Sequence, residues 1–440
     1  MDRRELNQEL VDFIRKSASM FHTIATIKGL LNDAGFEEWR EEEDWAPQPK
    51  GKYYTTRNGS SLIAFTVGSD LDALAFRMTA AHSDSPTFKV KSVPELKGPG
   101  EYLRLNVEAY GGMIDSTWLD RPLGLAGRVL VKTDGGVESR LFNSEKDILL
   151  IPNVPVHMNR GVNDGYAFNR QVDLLPLFSA GEMENGALDA MLAEALGVAA
   201  SDILAKDLFL VNHEAPSIWG VKDEFVSTPK LDDLQCVFVS LKAFLASEND
   251  RGVNVFVCFD NEEVGSNTKQ GAMSTFLKDA LRRLTLGLGK SEQEFHQAVS
   301  RSFLVSCDNA HAVHPNHPEL CDDENRTYLN KGIVIKEAAN QKYTSDAFSQ
   351  AVFLSVCEKA GVPVQHFANR SNMQGGSTLG NLSNTQISVH AVDIGLPQLA
   401  MHSSYETAGC QDTVDAVKAL TTFFNAALEI HGAESFRLDA

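Results

Sequence analysis

Long apolar runs are missing from this 440-residue chain. None approaches the roughly 18–20 consecutive apolar residues that a membrane-spanning helix needs, so the sequence offers no span. The opening stretch, MDRRELNQELVDFIRKSASMFHTI, lacks the apolar heart of a secretory leader. It reads instead as an amphipathic helix with Leu6, Leu10, Phe13 and Ile14 on one face. Cysteine is scarce. The six present (Cys236, Cys258, Cys307, Cys321, Cys357 and Cys410) are far apart and form no C-x-x-C pair. That spacing points away from a disulfide framework or a thiolate zinc cluster and toward reduced, buried thiols in a cytoplasmic protein. Basic residues are in deficit, 40 Lys and Arg against 59 Asp and Glu, for a net charge of −19. A surplus of that sign argues against nucleic acid or an anionic membrane as partner. Internal repeats and low-complexity tracts are absent as well. What remains is ordinary globular composition, 43% hydrophobic and 22% charged, with length for about two or three domains.

The outer segments read as an α/β domain. Near the start, two helices precede the strands SSLIAFTVG and ALAFRMTAAHSD. Beyond about residue 230, helices (DDLQCVFVSLKAFLAS, MSTFLKDALRRL, DAFSQAVFLSVCEKAG, VDAVKALTTFFNAALEI) alternate with strands (NVFVCFD, SFLVSCDNA, VPVQHF, QLAMHS). This order predicts a mixed, mostly parallel sheet sandwiched by helices. The middle has another texture, rich in Pro and Gly. It holds GRVLVKTDGGVESRLF, two strands about an Asp-Gly turn, and a helix in GALDAMLAEALG. The expectation is one domain formed by residues 1–90 plus 231–440, with a β-rich domain, 91–230, inserted in it.

Chemistry-bearing residues gather where strands of the outer segments end. A parallel sheet opens its crevice at the C-terminal ends of its strands. MTAAHSDSP brings His82 and Asp84 there, VCFDNEE brings Glu262 and Glu263, LVSCDNAH brings Asp308, and LAMHSSYE brings His402. KLDDL adds Asp232 and Asp233 at a helix start. Taken alone, either aspartate is more often an N-cap, and a single strand-end histidine more often structural. Their convergence is what carries the reading. Two histidines and several carboxylates in one crevice suit two neighbouring divalent ions with a coordination position left for water.

Six motifs, HSDSPTFKVK, KLDDL, DNEEVGS, CDNAHAVHPN, IKEAANQKY and MHSSYETAG, occur in one order along nearly the whole chain. In them the sequence resembles the aspartyl aminopeptidases, dinuclear zinc exopeptidases. The resemblance implies His82 and Asp308 as terminal ligands of one ion, Glu263 and His402 of the other, and Asp232 as the bridge, with a cis peptide after Asp232. It implies that Asp84 orients the His82 imidazole and that Glu262 is the general base. The adjacent glutamates then divide the labour, one on metal and one on the attacking water. His157, in IPNVPVHMNRGVN, reads alone as an exposed loop histidine; the resemblance implies that it reaches a neighbouring subunit's site. Lys336, Tyr343 and the turn QGGSTLG are implied to line the substrate pocket. Glu337 beside Lys336 departs from the pattern expected of acidic-substrate members. The family further implies a homo-oligomer, a tetrahedral dodecamer.

The first expectation is therefore a metalloaminopeptidase acting on peptides, with two zinc ions (manganese or cobalt also suit the oxygen-rich set). Two others stand beside it: a dinuclear amidohydrolase or deacylase on N-acyl substrates, and a non-catalytic assembly subunit. GLGKS (287–291) is no phosphate loop, since Leu284 stands where the first Gly is required. His311, His314 and His317 read as loop residues around Asp308.

Overall fold

Seven consecutive residues without a charge, Val253–Phe259, make the strand on which the fold is built. All seven are buried, as in a strand covered on both faces. In the computed structural model, which describes residues 2–439, this strand lies within a nine-stranded sheet. The spatial order is Glu37–Glu38, Lys52–Arg57, Ser61–Val67, Val253–Phe259, Phe76–His82, Phe303–Cys307, His390–Gly395, Ile333–Glu337 and Val364–Ala368. From Val253–Phe259 to His390–Gly395 the four central strands are parallel. Antiparallel neighbours flank them on either side. The central C-terminal ends therefore share one rim. Side chains alternate between two cores. Phe256 and Cys258 pack with the helices Arg3–Lys16, Leu231–Ala246, Ala347–Ala360 and Cys410–Asn425. Val255, Val257 and Phe259 pack with Phe276–Gly287 and Glu292–Ser300.

A second sheet has seven strands between Thr87 and Val211. Ile203–Val211 pairs with both Thr87–Lys97 and Pro122–Thr133, which closes the sheet on itself around a separate core that includes Phe88, Leu105 and Trp118. The hairpin read from the Asp-Gly turn is present, with Thr133 opposite Gly136.

Two expectations need correction. The return to the outer segments comes before residue 231: Ser217–Trp219 and Phe225–Thr228 join a five-stranded sheet with Glu406–Gly409, Pro397–Leu399 and Ala310–His311. Val226, fully buried, belongs to the core of the outer segments. The strand expected through QLAMHS ends at Leu399, because Ala400 and His402 take φ of 57° and 66°, outside extended backbone. The strand beside Phe303–Cys307 is His390–Gly395, whose apolar pattern is broken by Asp393. Five cysteines are buried, Cys321 is half-buried, and all six are free thiols. Among the described residues no helix is long and apolar enough to cross a membrane.

Candidate active site

The rim of the central strands collects the side chains singled out from the sequence. His82 ends Phe76–His82, and Asp308 follows Phe303–Cys307 directly. Glu262 and Glu263 form a single 3-10 turn after Asn261, whose φ of 61° turns the chain out of the strand. Asp232 and Asp233 enter the helix Leu231–Ala246 with non-helical backbone, and the peptide between them is cis.

Two metal-competent groups result, with ligand atoms within 4.8 Å of one another: His82, Asp232, Asp233 and Asp308, and Asp232, Glu263 and His402. Asp232 belongs to both. Its Oδ1 lies 3.6 Å from His82 Nε2, and its Oδ2 lies 3.2 Å from His402 Nε2. His402 Nε2 is also 3.4 Å from Glu263 Oε2. Asp232 Oδ1, Asp233 Oδ1 and Glu263 Oε1 are buried without a hydrogen-bond partner. Buried carboxyl oxygens left unpaired are costly, and a divalent cation is the partner that fits this donor set.

Charge in the cluster is settled by protons. Burial, with the carboxylates of Asp308, Asp84 and Asp232, lifts Glu262 to about 8. Burial and Asp232 hold Glu263 well above the carboxylate range. Asp232 goes the other way: against its burial, the imidazoles of His402 and His82 beside its carboxylate hold it below the carboxylate range. His402 rises to about 8 despite burial, through the Asp232 carboxylate 3.2 Å away.

Asp84 lies against both His82 and the glutamate turn. His82 Nδ1 lies nearest the Asp84 carbonyl oxygen, at 3.0 Å, with the carboxylate at 3.4 Å. The carboxylate accepts hydrogen bonds from the backbone N–H groups of Glu262 and Glu263 (3.1 and 3.2 Å) and from the Tyr110 hydroxyl (2.7 Å). It therefore aims the glutamate turn. Gly111 follows Tyr110 with φ of 78°, and a Cβ there would stand 3.1 Å from Glu263 Cβ, so a side chain here would be strained and would press on Glu263.

Lys336 is 2% exposed. Its Nζ donates to the Asp308 carbonyl at 2.7 Å, lies 3.9 Å from Asp308 Oδ2, and sits 5.3 Å above the ring of buried Tyr343. Lys336 thus lies against Asp308, with Tyr343 against Lys336. Glu337 points elsewhere and accepts from Gln350. His157 is on an exposed loop and belongs to neither metal-competent group. His311, His314 and His317 belong to neither group. Two contributors were not assigned from the sequence. Asp233 Oδ2 accepts the His82 backbone N–H at 3.0 Å, and Glu406 is buried behind Asp232 and His402. Both lie inside motifs already noted, but neither shows its burial in the sequence.

Residues 13–424 match the family described as aminopeptidase I zinc metalloprotease, M18. The chain belongs to the M18 aminopeptidase family. It is 47% identical over 423 residues to a probable M18 family aminopeptidase 2 of Clostridium novyi, covering 95% of this chain and 98% of that one. A namesake from Clostridium acetobutylicum is 45% identical over 96% of this chain and 99% of its own. Among solved structures, a chain of the Ape4 and Nbr1 complex superposes with a TM-score of 0.92 at 34% identity, over 96% of this chain and 86% of that one. A chain of the S. cerevisiae mApe1 dodecamer gives 0.83 at 27%, over 95% of each. This M18 protein is thus a hydrolase, an aminopeptidase of a zinc metalloprotease family.

Proposed function

We propose that this M18 aminopeptidase works with two divalent cations, zinc by family, held by His82 and Asp308 on one side, Glu263 and His402 on the other, and Asp232 between. The observation that carries this reading is Asp232, whose two oxygens face two different histidines within two groups that share it. When bound, such ions acidify a water and polarise the scissile carbonyl. Glu262 accepts the proton of the attacking water on its carboxylate and delivers it to the leaving amine. Asp84 keeps Glu262 and Glu263 diverging by bonding both their backbone N–H groups. Lys336 supports Asp308 from behind, and with Tyr343 forms the floor beside it.

Residues 87–211 are read as an inserted oligomerisation unit. His157 shares its loop with Val154, Val156 and Met158, which are 48%, 46% and 82% exposed. A second copy would cover this apolar cluster and bring His157 to a neighbour's substrate, in a dodecamer like that of mApe1. Buried free thiols fit a cytoplasmic setting.

The test is a panel of peptides beginning with Asp, Glu or Leu, each with a free or an acetylated amino group, offered to chelator-treated protein before and after zinc is restored. Zinc-dependent cleavage confined to free amino groups supports the aminopeptidase. Preference for the acetylated series favours a deacylase, and silence throughout favours an assembly subunit. Acidic first residues are expected among the substrates. Lys336→Ala reads the cause: a loss at least tenfold larger on Asp- and Glu-peptides than on Leu-peptides assigns Lys336 to the side chain, and an equal loss assigns it to Asp308.

A further inference from the structure

Glu406 lies four residues after His402 and is 1% exposed. A buried carboxylate normally finds a cation. The partners of this one are instead two backbone N–H groups and one side-chain amide. Oε2 accepts from Asp232 at 3.0 Å, and Oε1 accepts from His402 at 2.7 Å and from Gln398 Nε2 at 3.3 Å.

We infer that Glu406 is a positioning residue for the metal centre, a clamp that fixes the bridging aspartate and the terminal histidine relative to one another. The inference rests on reading Asp232 and His402 as ligands. The two residues lie 170 positions apart in sequence, one entering a helix and the other in a turn, and Glu406 is the side chain that bonds both backbones. His402 needs such a hold. Its φ of 66° is disfavoured for a residue with a Cβ, and the bond to its N–H fixes the turn in that form.

The clamp extends to the other ion's ligand. Gln398, bonded to Glu406 through its amide nitrogen, accepts from Asn309 Nδ2 at 2.6 Å. Asn309 directly follows Asp308, and its Nδ2 also reaches the Leu231 carbonyl at 3.2 Å and Gln235 Oε1 at 3.1 Å. A buried chain of hydrogen bonds thus runs from Glu406 through Gln398 to Asn309, joining the loops of Asp232, His402 and Asp308. Asp84 plays the matching part for Glu262 and Glu263. Between them the two acids hold four residues of the site by their backbones and leave the side chains free for cations.

A glutamine has nearly the shape of glutamate but one acceptor where the clamp needs two. In Glu406→Gln, its NH2 group would face either the Asp232 or the His402 N–H, donor against donor. Aspartate keeps two acceptors on a shorter stem. Glu406→Gln and Glu406→Asp are compared with wild type by competitive zinc titration, thermal unfolding and steady-state kinetics at saturating zinc. Asp232→Asn and His402→Ala are run beside them. The expected result is cooperative unfolding in all variants, zinc affinity at one site lowered about 10–100-fold in Glu406→Gln, kcat reduced with KM little changed, and partial recovery of both in Glu406→Asp. Wild-type zinc affinity and kcat in Glu406→Gln would overturn the inference, as would loss of cooperative unfolding in both Glu406 variants, which makes the residue merely structural. If Asp232→Asn and His402→Ala keep zinc, the ligand assignment fails instead, and Glu406 falls with it.

Discussion

Glu262 and His402 are both proton-rich in the metal-free protein, each held at about 8. Their ordinary values are 4.5 and 6.5, so between those values and about 8 the folded chain keeps protons that the unfolded chain has shed. A raised value contributes stability that is fully present below the unfolded pKa and is lost as pH rises through the folded one. The metal-free protein is therefore expected to lose thermal stability between about pH 4.5 and 8, while the zinc-loaded protein, whose carboxylates face cations, stays nearly level. Zinc binding should release protons across that window. Thermal scans with and without chelator, and calorimetry in two buffers of different ionisation enthalpy, check both; a flat metal-free profile contradicts the expectation. At this scale the sequence was legible where a residue follows an apolar strand, as His82, Asp308 and the Glu262–Glu263 pair do. It was not legible for Glu406, Asp233 or Asp393. A carboxylate inside a motif looks solvated until the elements packed over it are known, and the role of Asp84 required knowing which N–H groups face it.

Elements deliver these residues, and the strand Val253–Phe259 does so most directly. Phe256 is fully buried between Phe244 and the other helices on its face. Truncating it leaves a void that the close-packed surroundings fill only in part. Phe256→Ala is expected to cost about 3–5 kcal/mol in denaturant unfolding, while the surviving folded fraction keeps the wild-type KM. A cost below about 1 kcal/mol would mean the sheet is not the rigid base of the site. Continuous apolar runs such as NVFVCF were readable because burial on both faces leaves no polar alternation. The run HAVDIG was missed because Asp393 interrupts it, its carboxylate satisfied by the Thr344 N–H and the Thr378 hydroxyl. QLAMHS was read too far because positive φ at Ala400 and His402 has no signature in residues that carry a Cβ. The helix–strand alternation beyond residue 230 carried the α/β reading. The early return at Ser217 was hidden by pairing with Glu406–Gly409, a contact that local patterns do not encode.

The whole molecule joins an open nine-stranded sheet, with a core on each face, to a closed seven-stranded sheet with its own core. Arg128, from the seven-stranded sheet, donates to the Asn58 carbonyl at 2.8 Å, bonds Asp207 at 3.0 Å and stacks 4.4 Å from the Phe21 ring. It pins one sheet system to the other. The proposed sharing of sites between subunits belongs to this scale. His157→Ala and Glu262→Gln proteins, each impaired alone, should recover measurable activity when dissociated together and reassembled, because some sites then combine a sound His157 with a sound Glu262. Proper mixing without recovery would remove His157 from the neighbour's site. Mixing itself has to be seen, and the burial of the thiols supplies the means. With five cysteines sealed in the cores and Cys321 half-open, a maleimide dye has one native point of attachment. Donor- and acceptor-labelled pools would then report the exchange of subunits by energy transfer, with no engineered handle and no change to the site under test.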